Sequence, residues 1–92
     1  MRYTWQPEKN RRNKAKHRIA FEDAVSIFAR MTVERIDDRF DYGEERIQAL
    51  GLLETTVIVV TYVEQHEEER RIISARRATA KERREYFEAA GI

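Results

Sequence analysis

The sequence predicts a small α+β domain in which two helices precede a four-stranded antiparallel sheet and a third helix follows it. Three observations support this fold class. Apolar residues recur at helical spacing from residue 21, β-branched runs with short connections fill residues 31–77, and a capping pair opens a helix after the last run. Strands that follow one another through short connections pair as an antiparallel meander.

The two N-terminal helices are predicted from a proline and an apolar stripe. Pro7 suits the first turn of a helix, because its missing N–H has no intrahelical partner there, and this helix is expected to reach Lys16. The second helix is predicted from apolar residues at i, i+3, i+4 and i+7, which form one face that we expect to lie in the core. These residues are Phe21, Ala24, Val25 and Phe28.

Four segments after residue 30 predict the strands: MTVERI, RIQALGLLE, TTVIVVTYVE and RRIISARR. The third is the richest in β-branched residues, which suits a central strand buried on both faces. DDRFDYGEE is expected to connect the first two strands, and QHEEE the last two. The final helix begins with Thr79 and Glu82, spaced as in a capping box, and Gly91 is a natural stop.

Length and composition limit the fold and the chemistry. With 92 residues, 41% of them hydrophobic, the chain suits one domain over residues 1–92. Cysteine is absent, which excludes disulfides and thiolate metal sites. No apolar stretch approaches the ~20 residues of a membrane span, and the N-terminus lacks a signal-peptide segment, so we expect a cytoplasmic protein that does not bind membranes.

Charge is segregated along the chain, although the net charge is only +1. Residues 1–18 carry +6 and residues 70–92 carry +4, whereas residues 19–45 carry −5 and residues 46–69 carry −4. If the two basic ends meet, they form the positive face expected of a nucleic-acid site. The alternative is a pair of solvated basic helices, which the charge pattern favours equally.

Two adjacent arginines, Arg76 and Arg77, end the last predicted strand. Because side chains alternate along a strand, one arginine is expected to point toward the helical layer and the other toward the open face. Both precede a helix N-terminus, which attracts anions, and a guanidinium fits the oxygens of phosphate. One interpretation is a phosphate site, and the other is an ion pair with a glutamate between Glu64 and Glu69.

A second basic cluster lies on the first predicted helix. Lys9, Asn13, Lys16 and His17 share one broad face, where they could converge on one ligand. His17 can transfer protons near neutral pH, although a lone histidine is more often structural. His17 and His66 lack a paired ligand motif and the carboxylates are dispersed, so neither a metal nor a cofactor is predicted.

Other catalytic signatures are missing from the sequence. A glycine-rich phosphate loop and a serine nucleophile elbow are both absent, which excludes ATPase, dehydrogenase and hydrolase-fold functions. A chain of this length has little room for a deep pocket, whereas a shallow groove across a sheet can hold an extended polymer. RNA is the polymer that we expect.

Three motifs resemble the BrnT toxins, the toxin halves of type II toxin–antitoxin pairs. They are W-x-x-x-K-x-x-x-N-x-x-K-H-x-x-x-F-x-x-A from Trp5 to Ala24, G-E-x-R-x-x-x-x-G from Gly43 to Gly51, and I-S-A-R-R-A-T-x-x-E-R-x-x-Y from Ile73 to Tyr86. The resemblance implies a RelE-like fold and a ribonuclease activity that arrests translation. It also implies a BrnA antitoxin that binds DNA, inhibits the toxin and helps the complex to repress its operon.

The resemblance further implies the site residues. The family's Lys-His, Glu-x-Arg and double-arginine motifs are matched by Lys16 and His17, Glu44 and Arg46, and Arg76 and Arg77, which are therefore predicted to act in RNA cleavage. Lys9, Asn13 and Arg83 are predicted to bind RNA. One departure is Gln6, where the family usually has an acidic residue. Glu45 lies beside Glu44 and leaves open the choice of functional carboxylate.

These side chains suit a metal-independent cleavage in which the neighbouring ribose 2′-hydroxyl attacks phosphorus. We hypothesise Glu44 or His17 as the base, with the lysine and the three arginines stabilising the phosphate charge. The alternative function is a non-catalytic module whose basic face binds RNA or an acidic protein segment.

Overall fold

The computed structural model describes residues 1–39 and 41–91 as a five-stranded sheet with helices on both faces. The strands are β1 (Arg2–Thr4), β2 (Val33–Asp37), β3 (Arg46–Leu53), β4 (Thr56–His66) and β5 (Glu69–Arg77). The helices are α1 (Pro7–His17), α2 (Phe21–Ala24) with a 3₁₀ continuation over Val25–Ala29, and α3 (Ala80–Ala90). The strand order is β1-β5-β4-β3-β2, and β2 to β5 pair antiparallel as predicted.

The strand β1 corrects the predicted four-stranded sheet. It pairs in parallel with the start of β5, where Tyr3 lies opposite Arg70. The Tyr3 ring stacks on Phe28 with 5.3 Å between ring centroids, which holds β1 against the layer formed by α1 and α2. A run of three residues is too short to predict a strand, so β1 depends on the unpaired backbone that the edge of β5 offers.

The second helix is shorter than its apolar stripe predicts. After one α-helical turn the chain tightens into the 3₁₀ helix, whose period is three residues. The fully buried residues Phe21, Ala24 and Ile27 are therefore three apart, and the stripe omits Ile27. Gly51 of β3 accommodates this segment, since a Cβ there would lie 2.8 Å from the Cβ of Ile27.

The sheet separates two apolar clusters. The cluster beneath α1 and α2 includes Ile58, Val60 and Tyr62 of β4, whereas the cluster beneath α3 includes Val57 and Val59. The strand β4 is thus buried on both faces, as its β-branched sequence predicts.

A β-bulge in β5 decides where the two terminal arginines point. Thr61 pairs with Ser74 and Tyr62 with Ile72, so Ile73 has no partner and the simple alternation along β5 is broken. Beyond the bulge, Arg77 lies opposite Ile58 on the α1–α2 face and Arg76 lies opposite Val59 on the α3 face. Each arginine therefore meets a helical layer, and neither points to an open face.

The predicted start and end of α3 are confirmed. Thr79 Oγ1 accepts a hydrogen bond from Glu82 N at 3.2 Å, and Thr79 N donates to Glu82 Oε1 at 2.8 Å. Gly91 follows the helix with φ +75°, a conformation that favours glycine. The capping box orients the Glu82 carboxylate toward the end of β5.

Candidate active site

The helix α1 lies along the part of the β5 edge that β1 leaves unpaired. Asn13 Nδ2 donates to Ala75 O at 2.8 Å and to Ile19 O at 2.9 Å, while Ala75 N donates to Asn13 Oδ1 at 3.0 Å. Both amide hydrogens are used and the residue is buried, so the geometry gives Asn13 a structural role and leaves no donor for RNA. These hydrogen bonds favour a role in the scaffold, and RNA binding by Asn13 stays a prediction.

The same packing brings His17 to the end of β5. Four helical residues rise about 6 Å and two strand residues about 6.6 Å, so the step from Asn13 to His17 matches the step from Ala75 to Arg77. Arg77 Nη1 accordingly donates to the backbone oxygen of His17 at 3.2 Å. The basic ends of the chain therefore meet, and we call the group Lys16, His17, Arg76 and Arg77 the basic corner.

The basic corner sets the protonation of His17. Partial burial of the imidazole lowers its pKa below 6.5, and the charges of Lys16 and Arg76 lower it further. The neutral form, which can accept a proton, therefore dominates at pH 7. Lys16 is exposed beside it, and the Nε and Nη2 groups of Arg77 make no hydrogen bond within residues 1–39 and 41–91.

Arg76 is held by a carboxylate of the molecule itself. Its Nη1 and Nη2 donate to the two oxygens of Glu82 at 2.8 and 3.0 Å, and Arg35 of β2 contacts the same carboxylate. The Arg76 hydrogen bonds, with those from Thr79 N and Arg35, hold the pKa of Glu82 well below its usual range despite burial. Arg76 therefore forms an ion pair, as one of the two interpretations expects, but its partner is Glu82 and not a glutamate between Glu64 and Glu69.

Glu44 and Arg46 lie at the opposite end of the sheet from the basic corner. Both oxygens of Glu44 accept hydrogen bonds from Arg71 Nη2 at 2.7 and 2.8 Å, and the Arg46 guanidinium stacks over the Tyr42 ring at 3.9 Å. Arg71 precedes Arg77 by six residues on β5, about 20 Å at ~3.3 Å per residue. The six predicted cleavage residues therefore do not share one site, because the β2–β3 connection ends far from α1.

The two remaining predicted RNA contacts lie on different elements. Lys9 is half-buried on α1, one turn before Asn13 and therefore on the side facing β5. Arg83 is exposed in the first turn of α3, beside the buried Glu82. Lys9 lies on the same side of α1 as Asn13 and His17, two turns before His17. Arg83 lies on α3, on the other face of the sheet.

A cleft of about 580 Å³ opens next to Arg77 on the α1–α2 face. Its floor is apolar, from Ile19, Leu53 and Ile58, and its rim carries arginines and carboxylates. The charged members are Arg18, Arg30, Arg77, Glu22, Asp23 and Glu54. The sequence gives no direct signal for this cleft, because its walls come from α2, the β3–β4 turn and the end of β5.

Two further features concern metals and membranes. Among the described residues, no three histidine, aspartate or glutamate side chains are grouped as metal ligands would be. In the same part of the chain, no helix is long and apolar enough to cross a membrane.

Comparisons with known proteins match most of the chain. A family model described as "Ribonuclease toxin, BrnT, of type II toxin-antitoxin system" matches residues 5–82. The crystal structure of the Brucella abortus ribonuclease toxin, BrnT, is similar with a TM-score of 0.66 and 25% sequence identity, over 86% of this chain and 97% of that chain. A search of curated protein sequences gives no significant match.

Proposed function

Because the chain belongs to the BrnT family of ribonuclease toxins of type II toxin–antitoxin systems, we propose that it cleaves RNA at the basic corner. The observation that supports this location is the hydrogen bond from Arg77 Nη1 to the backbone oxygen of His17, which brings the Arg77 guanidinium to the residue that carries the proposed proton acceptor. Acid–base and phosphate-binding groups must lie within reach of one phosphodiester, and this hydrogen bond places the two residues at the same end of β5.

The proposed reaction needs no metal. Neutral His17 removes the proton from a ribose 2′-hydroxyl, the 2′-oxygen forms a bond to phosphorus, and the bond from phosphorus to the 5′-oxygen breaks. Water protonates the leaving 5′-oxygen, so the products carry a 2′,3′-cyclic phosphate and a 5′-hydroxyl. Arg77 and Lys16 stabilise the charge on the pentavalent phosphate.

Arg76 is proposed to act by position. Its guanidinium is bound to Glu82, so its charge is partly neutralised and its Nη1 and Nη2 groups both donate to that carboxylate. Its charge adds to burial and to the charge of Lys16 in lowering the pKa of His17, and its hydrogen bonds to Glu82 tie the end of β5 to α3. Geometry favours His17 over Glu44 as the base, because Glu44 is engaged with Arg71 at the far end of the sheet.

The test compares two purified variants of one helix. His17→Ala is expected to lower the rate of RNA cleavage about 10²- to 10⁴-fold, the usual contribution of a general base. Lys14→Ala changes an exposed residue of α1 outside the basic corner and is expected to cleave at the parental rate. Equal cleavage by His17→Ala, with unchanged unfolding, would place the chemistry elsewhere.

The same experiment separates an enzyme from a binding module. Cleavage in the presence of EDTA, with cyclic phosphate ends on the products, supports the metal-independent reaction. Salt-dependent RNA binding with intact substrate would favour the non-catalytic alternative.

The biological proposal follows from membership of the family. Cleavage in the cytoplasm is expected to inhibit translation, and a BrnA-type antitoxin is expected to neutralise the chain and carry the complex to operator DNA. Expression of the chain alone is expected to stop bacterial growth, and co-expression with the product of a neighbouring antitoxin gene to restore it. Continued growth of cells that contain the folded chain would contradict this.

A further inference from the structure

We propose that the cleft beside Arg77 binds a guanine base flanking the scissile phosphate, and that Glu22 recognises its Watson–Crick edge. This inference rests on the proposed cleavage at the basic corner, because Arg77 belongs to both. A phosphate that contacts Arg77 and His17 would leave its neighbouring nucleotide at the mouth of the cleft.

The shape and floor of the cleft suit a nucleobase. Its volume of about 580 Å³ lies within the range of small-molecule sites. The aliphatic floor, Ile19, Leu53 and Ile58, can cover one face of a flat ring. Arginine guanidinium planes stack on bases that project from single-stranded RNA, and Arg18 and Arg77 stand on the rim.

The charges of the cleft favour a base over a second phosphate. Three carboxylates, those of Glu22, Asp23 and Glu54, balance the three arginines that line it, so the cleft has no net positive charge to attract a second phosphate. Carboxylates accept hydrogen bonds and cannot donate them when ionised, so they select a ring edge that carries donors. Guanine has N1–H and N2–H side by side on its Watson–Crick edge, a spacing that matches the two oxygens of one carboxylate.

Glu22 is the carboxylate whose orientation the structure fixes. Asn10 Nδ2 donates to Glu22 Oε1 at 2.8 Å, and Asn10 Oδ1 accepts from Phe21 N at 2.9 Å. The side-chain amide of Asn10 thereby ties the Glu22 carboxylate and the first turn of α2 to α1. Hydrogen bonds from its own backbone N–H and from Asn10 lower the pKa of Glu22, so the carboxylate stays ionised.

The binding test uses nucleotides and does not require cleavage. Guanosine 3′-monophosphate and 5′-monophosphate are titrated into the purified chain beside the corresponding inosine and uridine nucleotides. We expect one guanosine isomer to bind at least about tenfold tighter than its uridine counterpart, and inosine, which lacks the N2 amino group, to fall between them. The preferred isomer identifies the side of the scissile phosphate on which the base lies.

The matched variants separate recognition from general binding. Glu22→Gln is expected to abolish the preference for guanosine nucleotides, whereas Glu67→Gln, an exposed change in the β4–β5 turn, is expected to retain it. Cleavage of a random-sequence RNA should likewise show guanine enriched beside the cut for the parental chain and for Glu67→Gln only.

The outcomes distinguish this inference from the proposed function. Selective guanosine binding without RNA cleavage would support the base site and contradict cleavage at the basic corner. Cleavage without a guanine preference, together with equal binding of all nucleotides, would overturn the base site and leave the nuclease assignment intact. A preference that survives in Glu22→Gln would also overturn the role of Glu22.

Discussion

The side-chain amide of Asn13 pairs with the backbone of Ala75 as a neighbouring strand would. The two hydrogen bonds, at 2.8 and 3.0 Å, complete an edge of β5 that β1 does not reach. A helix is thereby fixed beside a strand, and His17, one helical turn later, is placed at the end of that strand.

Asn13→Ala is expected to lower the free energy of unfolding by about 2–4 kcal/mol, because it leaves three buried backbone groups without partners. Urea denaturation followed by circular dichroism measures the change. Ala15→Ser, an exposed change on the same helix, serves as the control. Full stability of Asn13→Ala combined with weakened RNA binding would restore the direct RNA contact that its sequence motif predicts.

The cleavage rate is expected to rise with pH and to reach half its maximum below pH 6.5, because the base must be neutral and the pKa of His17 is lowered from 6.5. Part of that shift comes from the charge of Lys16. Lys16→Gln should therefore move the midpoint upward, whatever it does to the maximal rate. A midpoint above pH 7, or one that Lys16→Gln leaves in place, would argue against His17 as the base.

Glu44→Gln is expected to change the cleavage rate by less than about tenfold, since its carboxylate is bound to Arg71 and lies far from His17. Loss of this partly exposed ion pair should cost no more than about 1 kcal/mol in stability. Single-turnover cleavage with a saturating excess of the chain measures the chemical step. If that step slows as much as in His17→Ala, Glu44 is the base and the assignment to the basic corner fails.

Glu82→Gln is expected to destabilise the chain by about 1–3 kcal/mol at pH 7, because charged hydrogen bonds from Arg76 and Arg35 are lost at a buried carboxylate. The pKa of Glu82 is depressed in the folded state, so its contribution is complete above pH 4.5 and disappears as the pH falls below that value. Glu82→Gln should therefore lose less stability than the parental chain between pH 4.5 and 3. The free energy of unfolding of both proteins is measured across this pH range, and an equal or greater loss for Glu82→Gln would contradict the prediction.

Gly51→Ala is expected to cost about 1–3 kcal/mol, because the new Cβ would lie 2.8 Å from the Cβ of buried Ile27. Gly43 offers a contrast, since its added Cβ meets no atom within 4 Å and only its φ of +75° favours glycine. Asparagine tolerates that backbone conformation, so Gly43→Asn should be nearly neutral whereas Gly51→Asn should not. Thermal denaturation of the three variants measures the losses, and a greater loss for Gly43→Asn than for either Gly51 variant would show that backbone conformation decides them rather than the space beside Ile27.

The parts of the fold that the sequence predicts depend on local signals. The strands β2 to β5 carry β-branched runs, and α3 carries both of its caps. The strand β1 has no such signal, because its parallel pairing depends on a partner 67 residues later in the chain. The 3₁₀ continuation of α2 escapes prediction for a similar reason, since Gly51 of a distant strand sets the space available to Ile27.

The site is predicted in part. Charge segregation left open whether the two basic ends meet, and the contact of Arg77 with His17 shows that they do. The motif that contains Glu44 and Arg46 cannot reveal where the β2–β3 connection ends relative to α1. The bulge at Ile73 also escapes prediction, and it changes which face of the sheet Arg76 and Arg77 each meet. The sequence motif also gives no sign that Asn13 hydrogen-bonds the backbone of β5.

The pairing of β1 and α1 with β5 has a consequence for synthesis on the ribosome. His17 leaves the ribosome long before Arg77, yet the two become neighbours only when β5 has been translated and has paired with β4. A nascent chain that stops short of β5 already contains Lys16 and His17 but lacks the two arginines that complete the basic corner. If the chain cleaves RNA at the basic corner, as proposed, it gains that activity only when elongation is nearly finished.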